Sequence, residues 1–304
     1  ENNRDGSDYN YSWNCGAEGH VRKKKIQELR SRQLRNAMLL LFLSQGTPVL
    51  LAGDEFGNSQ NGNNNAYCQD SPISWLNWES ISQDDAAFTD FVRYLIQIRL
   101  AHRVFRRKRY YTGKKIGDSK VKDITWMTPE GLEMSDADWG KPYAQSLSAL
   151  ICGSLSVAFC NDEGRFTSDN HFFLVMNASS ESIEWLLPEV QKETQWSLVL
   201  DTTRPNPKVE NEPHKSGELY NVPAWSVLLF EAPIPDEDKA ELLAREGTTG
   251  ILGGVYQAVQ KSRLVATTDD LDRLDFMTYG PMGPVATSAD LTEPEEYDGF
   301  TKLI

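Results

Sequence analysis

Two stretches of the chain repeat their apolar residues with a helical period. In the first, Ile26, Leu29, Gln33, Leu34, Ala37, Met38 and Leu41 fall on one face, and Gly46 with Pro48 marks the stop. In the second, residues 84–107, Phe88, Phe91, Val92, Leu95 and Ile98 share a side, with Asp84 or Asp85 available as N-cap. Between them lies an apolar run, residues 48–52, that reads as a buried strand. It ends in Ala52 and Gly53, then two carboxylates, Asp54 and Glu55, and opens into a polar loop that extends to residue 78. The order polar loop, helix, buried strand, long polar loop, helix is the grammar of an α/β unit, whose nearly continuous apolar strand is covered on both faces. Residues 1–19 are rich in Asn, Asp and Gly, show no period and read as a loop.

From about residue 110 the pattern changes to short strands separated by turn residues. The candidates are 123–127, 147–159, 171–177, 182–187, 195–201 and 225–231, with turn signals at Pro129, Glu130 and Gly131, at 161–164 and at 205–207. Several strands without an intervening helix indicate an antiparallel sandwich. Beyond residue 234 the period fades. A short helix at 236–245 and another near 255–261 are separated by Gly247, Gly250, Gly253 and Gly254, and Pro281, Pro284 and Pro294 follow. The expected organisation is α/β plus all-β: 1–107, then a sandwich at 108–233, then a loosely packed acidic extension at 234–304.

Charge and cysteine usage narrow the function classes. The net charge of -13 argues against nucleic acid or an anionic membrane as partner, because phosphate binding needs clustered Lys and Arg. Residues 235–304 hold 14 Asp and Glu against 6 Lys and Arg, so the rest of the chain is only mildly acidic. The basic run Arg22, Lys23, Lys24, Lys25, Arg30, Arg32 and Arg35 lies opposite an apolar stripe and reads as a solvated helix face. Cys15, Cys68, Cys152 and Cys160 form no CxxC pair; they read as free thiols in a reducing, cytoplasmic compartment rather than a disulfide framework or zinc site. His20, His102, His171 and His214 show no ligand spacing, so no metal or other cofactor is expected, and His102 reads as a capping or surface residue. No run of about 18 apolar residues crosses a membrane. The chain starts at Glu1 with no charged-then-apolar leader, and reads as cut from something longer.

The candidate chemistry sits in residues 46–78. Asn58, Gln60, Asn61, Asn63, Asn64, Asn65 and Gln69 are interleaved with Tyr67, Trp75 and Trp78. Amides and carboxylates offer paired donors and acceptors to vicinal hydroxyls while rings stack on apolar sugar faces, so the loop suits a neutral polyhydroxylated ligand. Asn63, Asn64, Asn65, Tyr67 and Gln69 read either as the wall of a substrate cleft or as a loop bonded to itself, since Asn bonds readily to nearby backbone. Asp54 and Glu55 are neighbours, and adjacent strand side chains point to opposite faces, so they do not flank one scissile bond. Orientation of neighbours at a rim and plain structural hydrogen bonding both remain open for them. Asp5 with Glu55 could form a pair whose spacing the sequence does not set. Trp126, Trp139, Trp185, Trp196 and Trp225 could form a starch-binding surface, although strand aromatics are more often core.

Together, NRDGSDYNYSWNCGAEG, RKKKIQELRSRQLRNAMLLLFLSQGTPVLLAGDEFGNSQNGNNNAYCQD and ISWLNW resemble the carboxy-terminal part of the catalytic barrel of isoamylase-type glycogen debranching enzymes, in the α-amylase superfamily (glycoside hydrolase family 13). DITWMTPEGLEM, DADWGKPYAQSL, WSLVLDTT and AWSVLLF are similar to that group's carboxy-terminal β-sandwich, so the resemblance spans residues 1–231. It implies a carboxy-terminal remnant of a TIM (β/α)8 barrel, with 48–54 as strand eight, followed by the sandwich. It also implies hydrolysis of α-1,6-glucosidic branches in glycogen or limit dextrins by a retaining double displacement. The reacting carboxylates of the family lie at the ends of strands four, five and seven, so they should precede Glu1; the chain would carry no catalytic residue and be inactive alone. Asp54, Glu55, Asn63, Asn64, Tyr67, Gln69, Arg4 and Asp5 become candidates for the cleft wall, and branched α-glucan the partner. An unclosed barrel is expected to leave Val49, Leu50, Leu51 and the inner faces of both helices without partners. The contrasting reading is a non-catalytic module whose sandwich binds glucan or another partner. Within the family, pullulanases, trehalohydrolases and branching enzymes are the nearest alternatives.

Overall fold

The computed structural model describes residues 9, 11, 13–107, 110–115, 122–153, 169–207 and 212–234. The expected acidic extension, together with Arg4, Asp5 and Cys160, lies outside them. Three helices, α1 (Lys24–Leu43), α2 (Gln83–Ala101) and α3 (Asp136–Trp139), accompany eight strands. These are β1 (Ile124–Met127), β2 (Ser146–Ile151), β3 (His171–Asn177), β4 (Ile183–Leu186), β5 (Gln195–Asp201), β6 (His214–Lys215), β7 (Leu219–Val222) and β8 (Ser226–Ala232). A six-stranded antiparallel sheet in the order β1-β2-β3-β8-β5-β6 faces a two-stranded β4-β7 sheet. The fold is thus mostly antiparallel sheet with few helices, as the strand pattern predicts. β6 (HK) and α3 (DADW) carry too few apolar residues to announce themselves, and β7 (LYNV) is only four residues long.

Strand alternation explains how the layers assemble. Along β3, Phe172 and Leu174 point to one face and Phe173 and Val175 to the other; along β8, Val227 and Leu229 oppose Leu228 and Phe230. One face, extended by Ala149 and Ile151, packs on Met38, Leu39, Phe42, Phe91, Leu95 and Ile98 of the two long helices. The other packs on Trp185 and Val222 of the small sheet, with Trp196 and Leu198 of β5 beside them. Both faces of the central strands are therefore covered, in keeping with the unbroken apolar runs FFLVM (172–176) and VLLF (227–230). This corrects one expectation: the inner faces of α1 and α2 are not bare, because the sheet covers them.

Three further expectations shift. The buried stripe of α1 is Arg35, Asn36, Met38, Leu39, Phe42 and Leu43, while Leu34 and Ala37 are exposed. The helix is turned by its polar docking: Arg35 Nε donates to Thr202 O at 2.7 Å, Asn36 Nδ2 to Trp225 O at 2.9 Å and Arg32 Nη1 to Ala224 O at 2.7 Å. Part of the basic run is thus an interface, though Arg22, Lys23, Lys24 and Lys25 stay exposed as expected. Helix α2 is capped ahead of both carboxylates, at Ser82 rather than Asp84 or Asp85, and it ends at Ala101 rather than 107. Ser82 is the N-cap and Asp85 reaches back to the Ser82 N–H at 3.1 Å, a reciprocal capping box. Finally, residues 48–52 form no strand. Val49 and Leu51 are 82% and 68% exposed, and only Leu50 packs on the helical core. A lone extended segment has no ladder to satisfy its backbone, so strand-like composition does not suffice there.

Candidate functional site

The loop that follows this exposed run is built on a sharp reversal. Gly53 (φ 100°) and Gly57 (φ 74°) bracket a 3-10 turn, Asp54–Phe56, with both glycines in the left-handed region. A Cβ at Gly53 would stand 2.7 Å from Leu76 Cδ2 and 2.9 Å from Asn58 Cβ, so the two ends of the loop meet at this residue. Glu55 Oε2 accepts the Gly53 N–H at 2.8 Å, the structural hydrogen bond left open by the sequence. Buried Phe56 packs edge-on against Trp78 at 4.6 Å between centroids and closes the loop base.

The amides of the loop bond to one another. Asn63 Nδ2 donates to Gln69 Oε1 at 3.0 Å, Asn63 Oδ1 accepts from Asn65 N at 2.9 Å, Gln69 Nε2 donates to Asn65 O at 2.8 Å and Asn65 Oδ1 accepts from Tyr67 N at 3.3 Å. Trp75 Nε1 donates to Asp70 Oδ1 at 2.7 Å. This lattice fixes the loop and holds the Tyr67 ring outward, 83% exposed, beside exposed Asn64. The structure therefore brings Asn63, Tyr67 and Gln69 into one unit, and seats Asp54 and Glu55 together on the preceding turn. Such a surface can present rings and amide edges to a ligand. Of the five tryptophans named as a possible starch-binding surface, Trp185 and Trp196 are core, Trp225 is half-buried against Trp13, and Trp126 and Trp139 are exposed.

A group that sequence reasoning underrated joins the end of α2 to the sheet. His102 is the C-cap of α2, and its Nδ1 lies 2.8 Å from Asp169 Oδ1, while Nε2 is 3.6 Å from Glu231 Oε1. Asp169 Oδ2 also accepts from Val104 N at 3.0 Å. Burial opposes the charged imidazole, but the Asp169 hydrogen bond and the nearby carboxylates raise its pKa above the ordinary value. Only its place at a helix end was visible in the sequence. His171 behaves oppositely. It is buried and accepts the Gly153 N–H on Nδ1 at 3.3 Å, so protonation would set two donors face to face; burial pushes its pKa down to about 4.

These shifts fix the sign of the pH dependence. His171 has a depressed folded pKa, so its contribution is present above about 6.5 and lost as pH falls toward about 4, where the unfolded chain takes up a proton that the fold refuses. His102 has a raised folded pKa, so its contribution is complete below about 6.5 and is lost as pH rises through the raised value. Urea unfolding of His171→Asn is expected to show less loss of stability between pH 6.5 and 4 than the unchanged chain. Equal losses would contradict a neutral buried imidazole.

Fold and loop define the class first: an antiparallel β-sandwich carrying a helical layer and an amide-rich loop. Residues 123–230 match the family described as Isoamylase, C-terminal. Over 232 residues, 76% of its length, it is 40% identical to a glycogen operon protein GlgX homolog of Mycobacterium tuberculosis, of which the match covers 32%. Over 204 residues, 67% of its length, it is 34% identical to a glycogen debranching enzyme of Serratia proteamaculans, of which the match covers 26%. Among solved structures, pullulanase from Bacillus acidopullulyticus matches 68% of this chain and 21% of its own at 16% identity and a TM-score of 0.45. The chain thus spans a third or less of the curated relatives it matches, and the isoamylase-type resemblance of the sequence holds. Among the described residues no helix is long and apolar enough to cross a membrane.

Proposed function

We propose that the chain is part of a glycoside hydrolase that cleaves α-1,6-glucosidic branch linkages in glycogen or limit dextrins by a retaining mechanism. The observation that carries this reading is the 40% identity over 232 residues to a glycogen operon protein, a span longer than the sandwich family alone. In this reading residues 1–107 are the last strand and two helices of a (β/α)8 barrel, 108–233 the sandwich and 234–304 an extension. The exposed Val49 and Leu51 support it, since an apolar extended run beside two helices suits a strand that pairs with a neighbouring barrel strand. Asp54, Glu55, Asn63, Asn64, Tyr67 and Gln69 then stand at the rim and wall of the cleft, with Arg4 and Asp5 assigned to the same wall from the sequence. The reacting carboxylates belong to barrel strands that residues 1–304 do not supply, so the chain alone is inactive. The thiols of Cys15 and Cys68 suit a reducing cytoplasm.

A chimaera tests this directly. The matching part of the mycobacterial relative is replaced by this chain, and release of reducing ends from a limit dextrin is measured. Activity is expected to survive the exchange, and Tyr67→Ala in the chimaera is expected to lower kcat/KM about tenfold through lost stacking. A chimaera that folds but leaves the branches intact would overturn the assignment, and reducing ends released by residues 1–304 alone would overturn the placement of the carboxylates.

A further inference from the structure

We propose a second glucan-binding site on the sandwich, carried by Trp139 and Tyr143 on the arch of residues 134–145. The proposal rests on the debranching reading for the identity of the sugar, but the site is built from other elements than the 46–78 loop. Strand β1 is the edge of the six-stranded sheet, and its Trp126 meets Trp139 of α3 edge to face at 5.9 Å and 76°. This contact holds the Trp139 indole in place while leaving it 52% exposed; Tyr143, four residues on, is 75% exposed. Two exposed rings on one short arch contribute little to the core and offer flat apolar faces to solvent.

The surroundings select a neutral, hydroxylated ligand. Two adjoining clefts of about 280 and 350 Å³ share Met134, Asp138, Lys141, Gln145 and Ser146; Tyr143 lines the first and Trp139 the second. The arch neutralises its own charges. Lys141 Nζ is 2.7 Å from Asp138 Oδ1, and Asp138 Oδ2 also accepts from Ser135 N at 2.9 Å and Ser135 Oγ at 2.6 Å. The rest of the polar lining is the Gln145 amide, the Thr128, Tyr143, Ser146 and Ser179 hydroxyls and one carboxylate, Glu130, a good acceptor for vicinal hydroxyls. Rings flanked by amide, hydroxyl and carboxylate groups, with no net positive charge, match a linear α-1,4-glucan strand and mismatch a phosphorylated ligand. Such a site would hold an outer chain of the branched polymer while the chemistry proceeds elsewhere.

Maltohexaose titrated into the full chain by calorimetry and followed by tryptophan fluorescence tests the proposal without using activity. The unchanged chain is expected to bind, and Trp139→Ala and Tyr143→Ala are each expected to weaken binding about tenfold with thermal unfolding unaltered for the exposed Tyr143 variant. Trp139→Phe, which keeps a ring, is expected to restore most of the affinity. Equal affinity in both alanine variants, or no heat and no fluorescence change with the unchanged chain, would overturn the site. A concentration-dependent dimer abolished by Trp139→Ala, without sugar binding, would assign the face to a second copy instead and equally overturn it. The debranching reading fails separately, through an inactive chimaera.

Discussion

Phe172→Ala is expected to lower the stability of the chain by about 3–5 kcal/mol, and helices and sheet are expected to unfold together. Phe172 is fully buried in β3, with Ile151 of β2 and Glu231 of β8 as its register partners. Its ring lies 4.7 Å from Phe105 and 4.8 Å from His102, on the face that α1 and α2 cover. Truncation therefore opens a cavity between layers rather than within one, and neither layer can close it without moving the other. The helical circular dichroism and the fluorescence of Trp185 and Trp196, which sit on the opposite face of the sheet, should follow one midpoint that shifts together in the variant. If fluorescence kept its native midpoint while the helical signal was lost, the sandwich would be folding alone and the shared core would carry no weight.

What the sequence reveals about this architecture divides along physical lines. Six strands and the buried side of α2 were legible because period and burial coincide, although the strand expected at 147–159 ends at Ile151 and its positions 154–159 lie outside the described residues; Phe88, Phe91, Val92, Leu95 and Ile98 are all buried. The face of α1 was not, because Arg35 and Asn36, polar by type, are buried by hydrogen bonds to the Thr202 and Trp225 carbonyls, 167 and 189 residues away. Residues 48–52 misled for the converse reason, since strand composition needs a ladder partner and the described residues offer none. In the candidate site, the amide density of residues 58–69 singled out a loop that the structure shows cross-bonded within itself. It could not say that Asn63, Asn65 and Gln69 spend their bonds on one another and leave Tyr67 as the outward group. The sequence could not separate exposed Trp126 on the edge strand from buried Trp185 and Trp196, because edge and core strands share the same composition.

Arg99→Met is the second substitution expected to have a large effect, a loss of about 3 kcal/mol that lysine does not restore. The buried guanidinium of Arg99 closes the end of α1: Nη1 donates to Phe42 O at 2.5 Å and Ser44 O at 2.9 Å, and Nη2 donates to Gly46 O at 2.5 Å. The last carbonyls of a helix have no partner within it, and here one planar fork serves them and the following turn together. Methionine keeps much of the apolar stem but leaves these acceptors without a donor, whereas the single ammonium of lysine cannot span three carbonyls in the same geometry. The consequence reaches the candidate site, because residues 46–53 lead directly from this clamp into the Asp54–Phe56 turn. Amide exchange over residues 47–57 should accelerate in the methionine variant well beyond the global change, while the sheet keeps its relative protection. A loss below about 1 kcal/mol with unchanged exchange in 47–57 would mean that α1 and the loop are held by apolar packing alone, and that Arg99 does not set where the amide loop begins.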